Sequence, residues 1–184
     1  MQKAYISGLL HDCAKCVPDE KKIAECRQND ITITDSEYKS PYLLHSKLGA
    51  FYARTQYGIN DTDILEAITW HTTGHPDMTM LEKIVFVADY IEPYRNKAAN
   101  LDKIRYLAFT NIDDAILHIL NDTINYLKEN DKPIDGITLE TYNFYKNYNK
   151  SNITIERNNK YHDKRYFKAD GKNYRRSIKR KKRL

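Results

Sequence analysis

No apolar run in this 184-residue chain approaches the roughly 20 residues a membrane-spanning helix needs, so no such span is expected. The opening MQKAYISGLLHDC carries a charge at Lys3, and its apolar stretch is short and broken. That argues against a signal peptide and makes the cytoplasm the expected location. Cysteine is scarce: Cys13, Cys16 and Cys26 are odd in number and crowded together. Cys13 and Cys16 form a C-x-x-C, but no second pair follows at zinc-ribbon spacing and no redox-type strand precedes it, so free buried thiols are expected. No stretch alternates apolar and polar residues as a half-buried strand does, and no segment repeats. The first 145 residues are short of positive charge, with 15 Lys and Arg against 22 Asp and Glu, whereas residues 146–184 hold 15 against 3. The chain is an acidic body with a basic tail.

What is present is helical periodicity, in a chain long enough for one domain with a core. The spacing predicts a first helix from about Lys3 to Cys16, ending before Pro18, and a short second one from Asp19 to about Arg27. YLLHSKLGAFYART places Leu44, Leu48, Phe51 and Tyr52 on one face. Asp61 or Thr62 caps a helix through Ile64, Leu65, Ile68 and Trp70, which Gly74 and Pro76 stop. Met80, Ile84, Val87, Ala88 and Ile91 mark another, ended by Pro93. A long amphipathic helix runs from about Ile112 to Glu129, with Ile112, Ala115, Ile116, Ile119, Leu120, Thr123 and Leu127 inward. After the turn at Lys132–Gly136, TLETYNFYKNY reads as a last helix. Beyond about Asn149 the aliphatic pattern dissolves, and such a stretch cannot bury enough apolar surface to offset the entropy of ordering it. The expectation is an all-α, single-domain helical bundle over residues 1–148 with a basic, disordered extension over 149–184.

Metal-capable side chains fall at particular places on these helices. His11 and Asp12 are adjacent in GLLHDCAK, His45 lies in LLHSKLGA, His71 ends ITWHTTG, and Asp89 sits in IVFVADYIEP among Val85, Phe86, Val87 and Ala88. Singly each has a bland explanation: a hydrogen-bonded or surface histidine, a dipole partner at a helix end, a solvated carboxylate. Asp89 is harder to dismiss, because a carboxylate in apolar company wants a cation or donors. Together they form a series spread over four helices, the way bundles build metal sites from facing side chains. Mixed imidazole and carboxylate ligands suit iron, manganese, cobalt or zinc. An open site of this kind can polarise a phosphoryl oxygen and lower the pKa of bound water towards neutrality.

The order HD…H…H…D on helices resembles the HD superfamily of metal-dependent phosphohydrolases. GLLHDCAK, LLHSKLGA, WHTTGHPDMTMLEKIVFVADYIEPYR and KPIDGITLETYN are similar to one branch of it, the YqeK family of symmetrical diadenosine tetraphosphate hydrolases, across roughly residues 4–145. The resemblance implies a divalent metal, iron in that branch, and cleavage of the dinucleotide to two ADP. It implies His11, Asp12 and Asp89 as metal ligands, with Asp12 also against the nucleotide phosphates. His45, His71 and Thr72 would line the phosphate pocket, Asp12, His45 and His71 being the catalytic group. Lys15 and Arg95 would neutralise phosphate charge, and the turn Lys132, Pro133, Ile134, Asp135, Gly136, Ile137 would hold the nucleoside. Two alternatives stay open: a second enzyme reading, an HD phosphatase acting on mononucleotides, and, from a different class, a nucleotide-binding protein with impaired catalysis.

The chain departs from the branch in two places. Members of it carry a further helix, with another metal-binding histidine, ahead of the position matching Met1, which predicts under-buried Ile6, Leu9 and Leu10. His75 stands where the branch implies an arginine, as a weak phosphate contact or a bystander. The basic tail has no counterpart in the branch and suits non-specific contact with RNA through counterion release. Expected partners are thus the small dinucleotide, RNA at the tail, and a second copy of the chain in a homodimer, with no membrane.

Overall fold

Short polar caps start four of the helices and buried apolar stripes hold them, in a computed structural model that describes residues 1–148. The described residues contain α-helices and no strands. They are α1 (Gln2–Leu10), α2 (Asp19–Gln28), α3 (Asp35–Lys39), α4 (Leu44–Thr55), α5 (Thr62–Trp70), α6 (Met80–Tyr90), α7 (Leu101–Thr110) and α8 (Ile112–Glu129), followed by helical residues 136–148. A single 3₁₀ turn, Pro41–Leu43, leads into α4. The basic extension over 149–184 lies outside the described residues.

Local chemistry explains most boundaries. Thr34 with Glu37 and Thr79 with Glu82 form capping boxes that satisfy the first amides of α3 and α6. Asp61 accepts hydrogen bonds from the amides of Asp63 and Ile64 at the start of α5, as expected of that cap. Gly74 closes α5 with φ +64°, its amide bonding to the Trp70 carbonyl, a left-handed stop that a residue with a Cβ adopts at a cost. Asp135 accepts from the Ile137 amide where the last helix begins.

The core forms three adjoining clusters. Phe86, Val87, Ile104, Ile116, Ile119, Leu120 and Tyr145 join α6, α7, α8 and the last helix. Leu10, Ala53, Ile64 and Ile68 join α1, α4 and α5. Ala14, Cys26, Leu44 and Leu48 join α2 to α4. Where these meet, α4 passes hard against the end of α1: a Cβ on Gly49 would stand 3.3 Å from the His11 carbonyl oxygen.

The structure corrects several expectations. The first helix stops at Leu10 and does not reach Cys16; residues 11–16 continue as turns closed by Cys13 N–H to Leu10 O and Lys15 N–H to Asp12 O. Helix α7 was not expected, although Leu101, Ile104, Leu107 and Ala108 recur at helical spacing; Leu101 and Ile104 go inward and Tyr106 and Phe109 lie exposed. On α6 the buried residues are Glu82, Val85, Phe86 and Val87, and Met80 and Ile84 face out. Of the three free thiols only Cys26 is buried; Cys13 is half-buried and Cys16 exposed. The under-burial holds for Leu9, 69% exposed, whereas Leu10 is buried against Ile64 and Ile68 and Ile6 packs at the edge of that cluster. On α8, Ile124 joins the inward set, and Ile112 and Thr123 are half-buried.

Candidate metal and phosphate site

Three histidines reach the same point by the same local device. The Nδ1 atoms of His11, His45 and His71 each meet the carbonyl three residues back, of Gly8, Tyr42 and Ile68. A carbonyl only accepts, so Nδ1 carries the proton and Nε2 keeps its lone pair for the centre of the molecule. The three Nε2 atoms converge there: His45 Nε2 is 3.1 Å from His71 Nε2, and the His11 and His71 rings meet edge to face with centroids 4.9 Å apart. Backbone anchoring of the remote nitrogen is the arrangement that orients metal-binding imidazoles.

Asp12 stands in the middle of this group. Its Oδ2 lies 3.4 Å from His11 Nε2, and its Oδ1 lies 3.4 Å from His45 Nε2 and 3.6 Å from His71 Nε2. Oδ1 is buried without a hydrogen-bond partner. Burial opposes ionisation of Asp12, but the nearby His11, His45 and His71 side chains and the Lys15 ammonium outweigh it and hold the carboxyl well below the usual carboxylate range. Asp89, from the last turn of α6, places Oδ1 3.7 Å from His11 Nε2. Burial opposes its ionisation too, and the hydrogen bond with His11 leads the effects that depress its pKa. The two carboxylates raise His11 to about 10, with Asp12 the larger cause and Asp89 the second.

His11, Asp12 and His71 each offer a ligand atom within 4.8 Å of the others. The donor set fits a divalent cation on physical grounds: Asp12 and Asp89 draw positive charge to His11, a cation can supply that charge in place of a proton, and Asp12 Oδ1 is buried without a donor. His71, expected in a phosphate pocket, therefore stands among the ligand-capable atoms.

Around this centre lies a cavity of about 470 Å³ between α1 and α6, lined by Gly8, His11, Asp12, Lys15, Asp89, Glu92 and Arg95 among others. Lys15 Nζ sits 2.6 Å from Asp12 Oδ2. Arg95 donates from Nη2 to the Asp89 carbonyl at 3.2 Å, lies over the Tyr90 ring at 5.2 Å, and leaves its buried Nε without a partner. Thr72 Oγ1 is 3.2 Å from His71 Nε2 and 3.4 Å from His45 Nε2. Behind them a small cavity of about 50 Å³ is lined by His71, Thr72, Asp89, Tyr90, Thr123 and Thr138.

The 132–137 turn is split. Asp135, Gly136 and Ile137 line a separate cleft of about 390 Å³ with Thr34, Glu37, Trp70 and Thr73. Lys132 is exposed and lies over the Tyr126 ring, Pro133 is exposed, and Ile134 is half-buried. His75 is turned away from the centre: its Nε2 meets Glu82 at 3.0 Å, its Nδ1 meets the Pro76 carbonyl and its ring lies by Trp70. Sequence reasoning missed Thr138, Tyr90 and Glu92. Glu92 was legible from IEPYR, three residues after Asp89 and three before Arg95.

The HD domain family matches residues 1–94, and the chain belongs to that family of all-α hydrolase domains. Among curated relatives, a protein of Halalkalibacterium halodurans called bis(5'-nucleosyl)-tetraphosphatase, symmetrical, is 41% identical over 142 residues, 77% of this chain and 75% of that protein. The protein of the same name from Bacillus subtilis is 37% identical over 145 residues, 78% of this chain and 76% of its own length. A crystal structure from Clostridium acetobutylicum, described as a predicted HD superfamily hydrolase involved in NAD metabolism, is 38% identical. It superposes with a TM-score of 0.77, covering 80% of this chain and 77% of that one. No helix among the described residues is long and apolar enough to cross a membrane.

Proposed function

We propose that this chain is a metal-dependent hydrolase that cuts diadenosine tetraphosphate symmetrically into two ADP, with iron as the metal. The observation that carries the reading is the convergence of three carbonyl-anchored histidines and two carboxylates beside a cavity bordered by Lys15 and Arg95. The relatives named as symmetrical tetraphosphatases support the substrate.

His11, Asp12 and Asp89 hold the divalent ion, with His71 Nε2 in reach of the same point. A bound divalent ion supplies Lewis acidity at a phosphoryl oxygen and lowers the pKa of a bound water. The chain's own residues do the rest. Lys15 and Arg95, both lining the cavity, offset the charge of the polyphosphate. His45 and Thr72 hydrogen-bond phosphate oxygens at the inner wall, and the 132–137 turn carries the nucleoside. Water adds to one of the two central phosphorus atoms, the bridging P–O bond between them breaks, and each half leaves as ADP with one proton released.

The test is incubation of the purified chain with diadenosine tetraphosphate and ferrous or manganous ion, followed by product chromatography. ADP as the sole nucleotide product, absent with Asp12→Ala, is the expected result. No ADP above that control, or inorganic phosphate released from mononucleotides instead, overturns it.

A further inference from the structure

Arg95 is the side chain most directly placed to clamp phosphate, yet it sits on a loop with little of its own to hold it. Pro93 and Tyr94 are exposed, Tyr94 at 90%. Within the loop the supports are local: the Arg95 amide to the Glu92 carbonyl at 3.1 Å, and the Tyr94 amide to the Glu92 carboxylate at 2.9 Å. Ile91, at the start of the loop, packs against the Phe86–Ile104 cluster, whereas Glu92 to Arg95 rest on these local bonds.

A further tie comes from another helix. Arg105, on α7, spends its guanidinium on three backbone carbonyls of this one loop: Nε donates to Ile91 at 3.4 Å, and Nη2 donates to Glu92 and to Arg95, each at 3.1 Å. Its nearest carboxylate, Asp102, is 3.9 Å away and fully exposed, a minor competitor. The helix that carries Arg105 is itself fixed, because the adjacent Ile104 is fully buried in the cluster with Phe86 and Val87. A planar fork with five donors can hold several carbonyls at once, which an ammonium on a flexible stem cannot.

We infer that Arg105 is a positioning residue for the phosphate clamp: it fixes the 91–95 loop so that the Arg95 guanidinium stays over Tyr90 and Asp89, facing the cavity. Arg105 lies beyond residues 1–94, the stretch that matches the HD domain, so α7 supplies this part of the site from outside that match. The inference rests on the proposed role of Arg95. Misplacing a binding group by about 1 Å is enough to cost up to a hundredfold in rate.

The experiment is a double-mutant cycle on the full chain, with Arg95→Ala, Arg105→Gln and the pair. It reads kcat and KM for diadenosine tetraphosphate and the Tm shift produced by ADP. Arg105→Gln is expected to lower kcat/KM about tenfold and to shrink the ADP-induced shift, and the double variant to fall no further than Arg95→Ala alone, the signature of one residue acting through another. Arg105→Lys should recover part of the loss, and it serves as the probe if the glutamine variant fails to fold. Full activity in Arg105→Gln, or losses that multiply in the double variant, overturns the inference while leaving the Arg95 role standing. Unchanged kinetics in Arg95→Ala overturns that role and the inference with it.

Discussion

His45 and His71 point their Nε2 atoms at each other across 3.1 Å, while the opposite nitrogen of each ring is tied to a backbone carbonyl. Two lone pairs that close repel, and a cation between or beside them removes that repulsion. Buried imidazoles so arranged suit a positive charge, and Asp12 Oδ1 lies 3.6 Å from His71 Nε2.

Replacing His71 by Asn keeps a polar side chain but withdraws Nε2 from the centre. The expected outcome is a fall of about ten- to a hundredfold in affinity for manganous or cobaltous ion, the usual cost of disturbing a ligand or its support. Isothermal titration with the metal alone measures it, independently of activity. An unchanged affinity would place His71 outside the metal's reach.

Lys15 gives a different kind of prediction. Its side chain is 56% exposed, so its ion pair with Asp12 adds about 0–1 kcal/mol to stability at most. Lys15→Met should leave Tm within a few degrees and lower kcat/KM about tenfold or more, since a phosphate loses its counter-charge. A large loss of Tm with normal kinetics would make Lys15 structural.

Gly49 tests the contact between α4 and the HD turn. A Cβ there meets the His11 carbonyl oxygen at 3.3 Å and the Cys13 sulphur and Ile68 Cγ2 at 3.6 Å each. Gly49→Ala gains helix propensity of about 1 kcal/mol, which offsets a small shift of the turn. Gly49→Val has no such room and should cost about 1–3 kcal/mol through overpacking. Urea unfolding of both variants distinguishes them; equal stability would mean that the contact is not tight.

Tyr52 provides a pH dependence away from the metal site. Burial, and then its hydrogen bond to Glu25, push the phenol up to about 12 from the ordinary 10. A folded-state pKa above the unfolded value gives a contribution that is complete below the unfolded pKa and is lost as pH rises through the folded one. Urea midpoints should therefore drop between pH 10 and pH 12, and the drop should be smaller in Tyr52→Phe. Parallel curves for the two proteins would refute the assignment.

How far the site was legible varies with the range of the interaction that makes it. The all-α character, the cap at Asp61 and the stop at Gly74 follow from residues a few positions apart, and each is where the pattern put it. The HD…H…H…D order was visible as a list of chemistries. Helix α7 was not, although Leu101, Ile104, Leu107 and Ala108 share one face of it; the exposed Tyr106 and Phe109 blur that stripe. The first helix was drawn too long: from His11 to Cys16 the periodicity is helical, and packing against α4 makes turns of it.

The sequence by itself determined which side chains could hold a cation or meet a phosphate, and even the local geometry of the histidines, since a bond to the carbonyl three residues back needs only a turn of chain. Tertiary structure decided which of them share a point. It set Gly49 against the His11 carbonyl, turned His75 away towards Glu82, and split the 132–137 turn between surface and cleft. It also brought Arg105 from α7 to the loop that carries Arg95. The reason is physical. Caps, turns and helix period are fixed by neighbours in the chain, whereas the meeting of groups tens of residues apart depends on how buried faces fit, and no short stretch of sequence contains that fit.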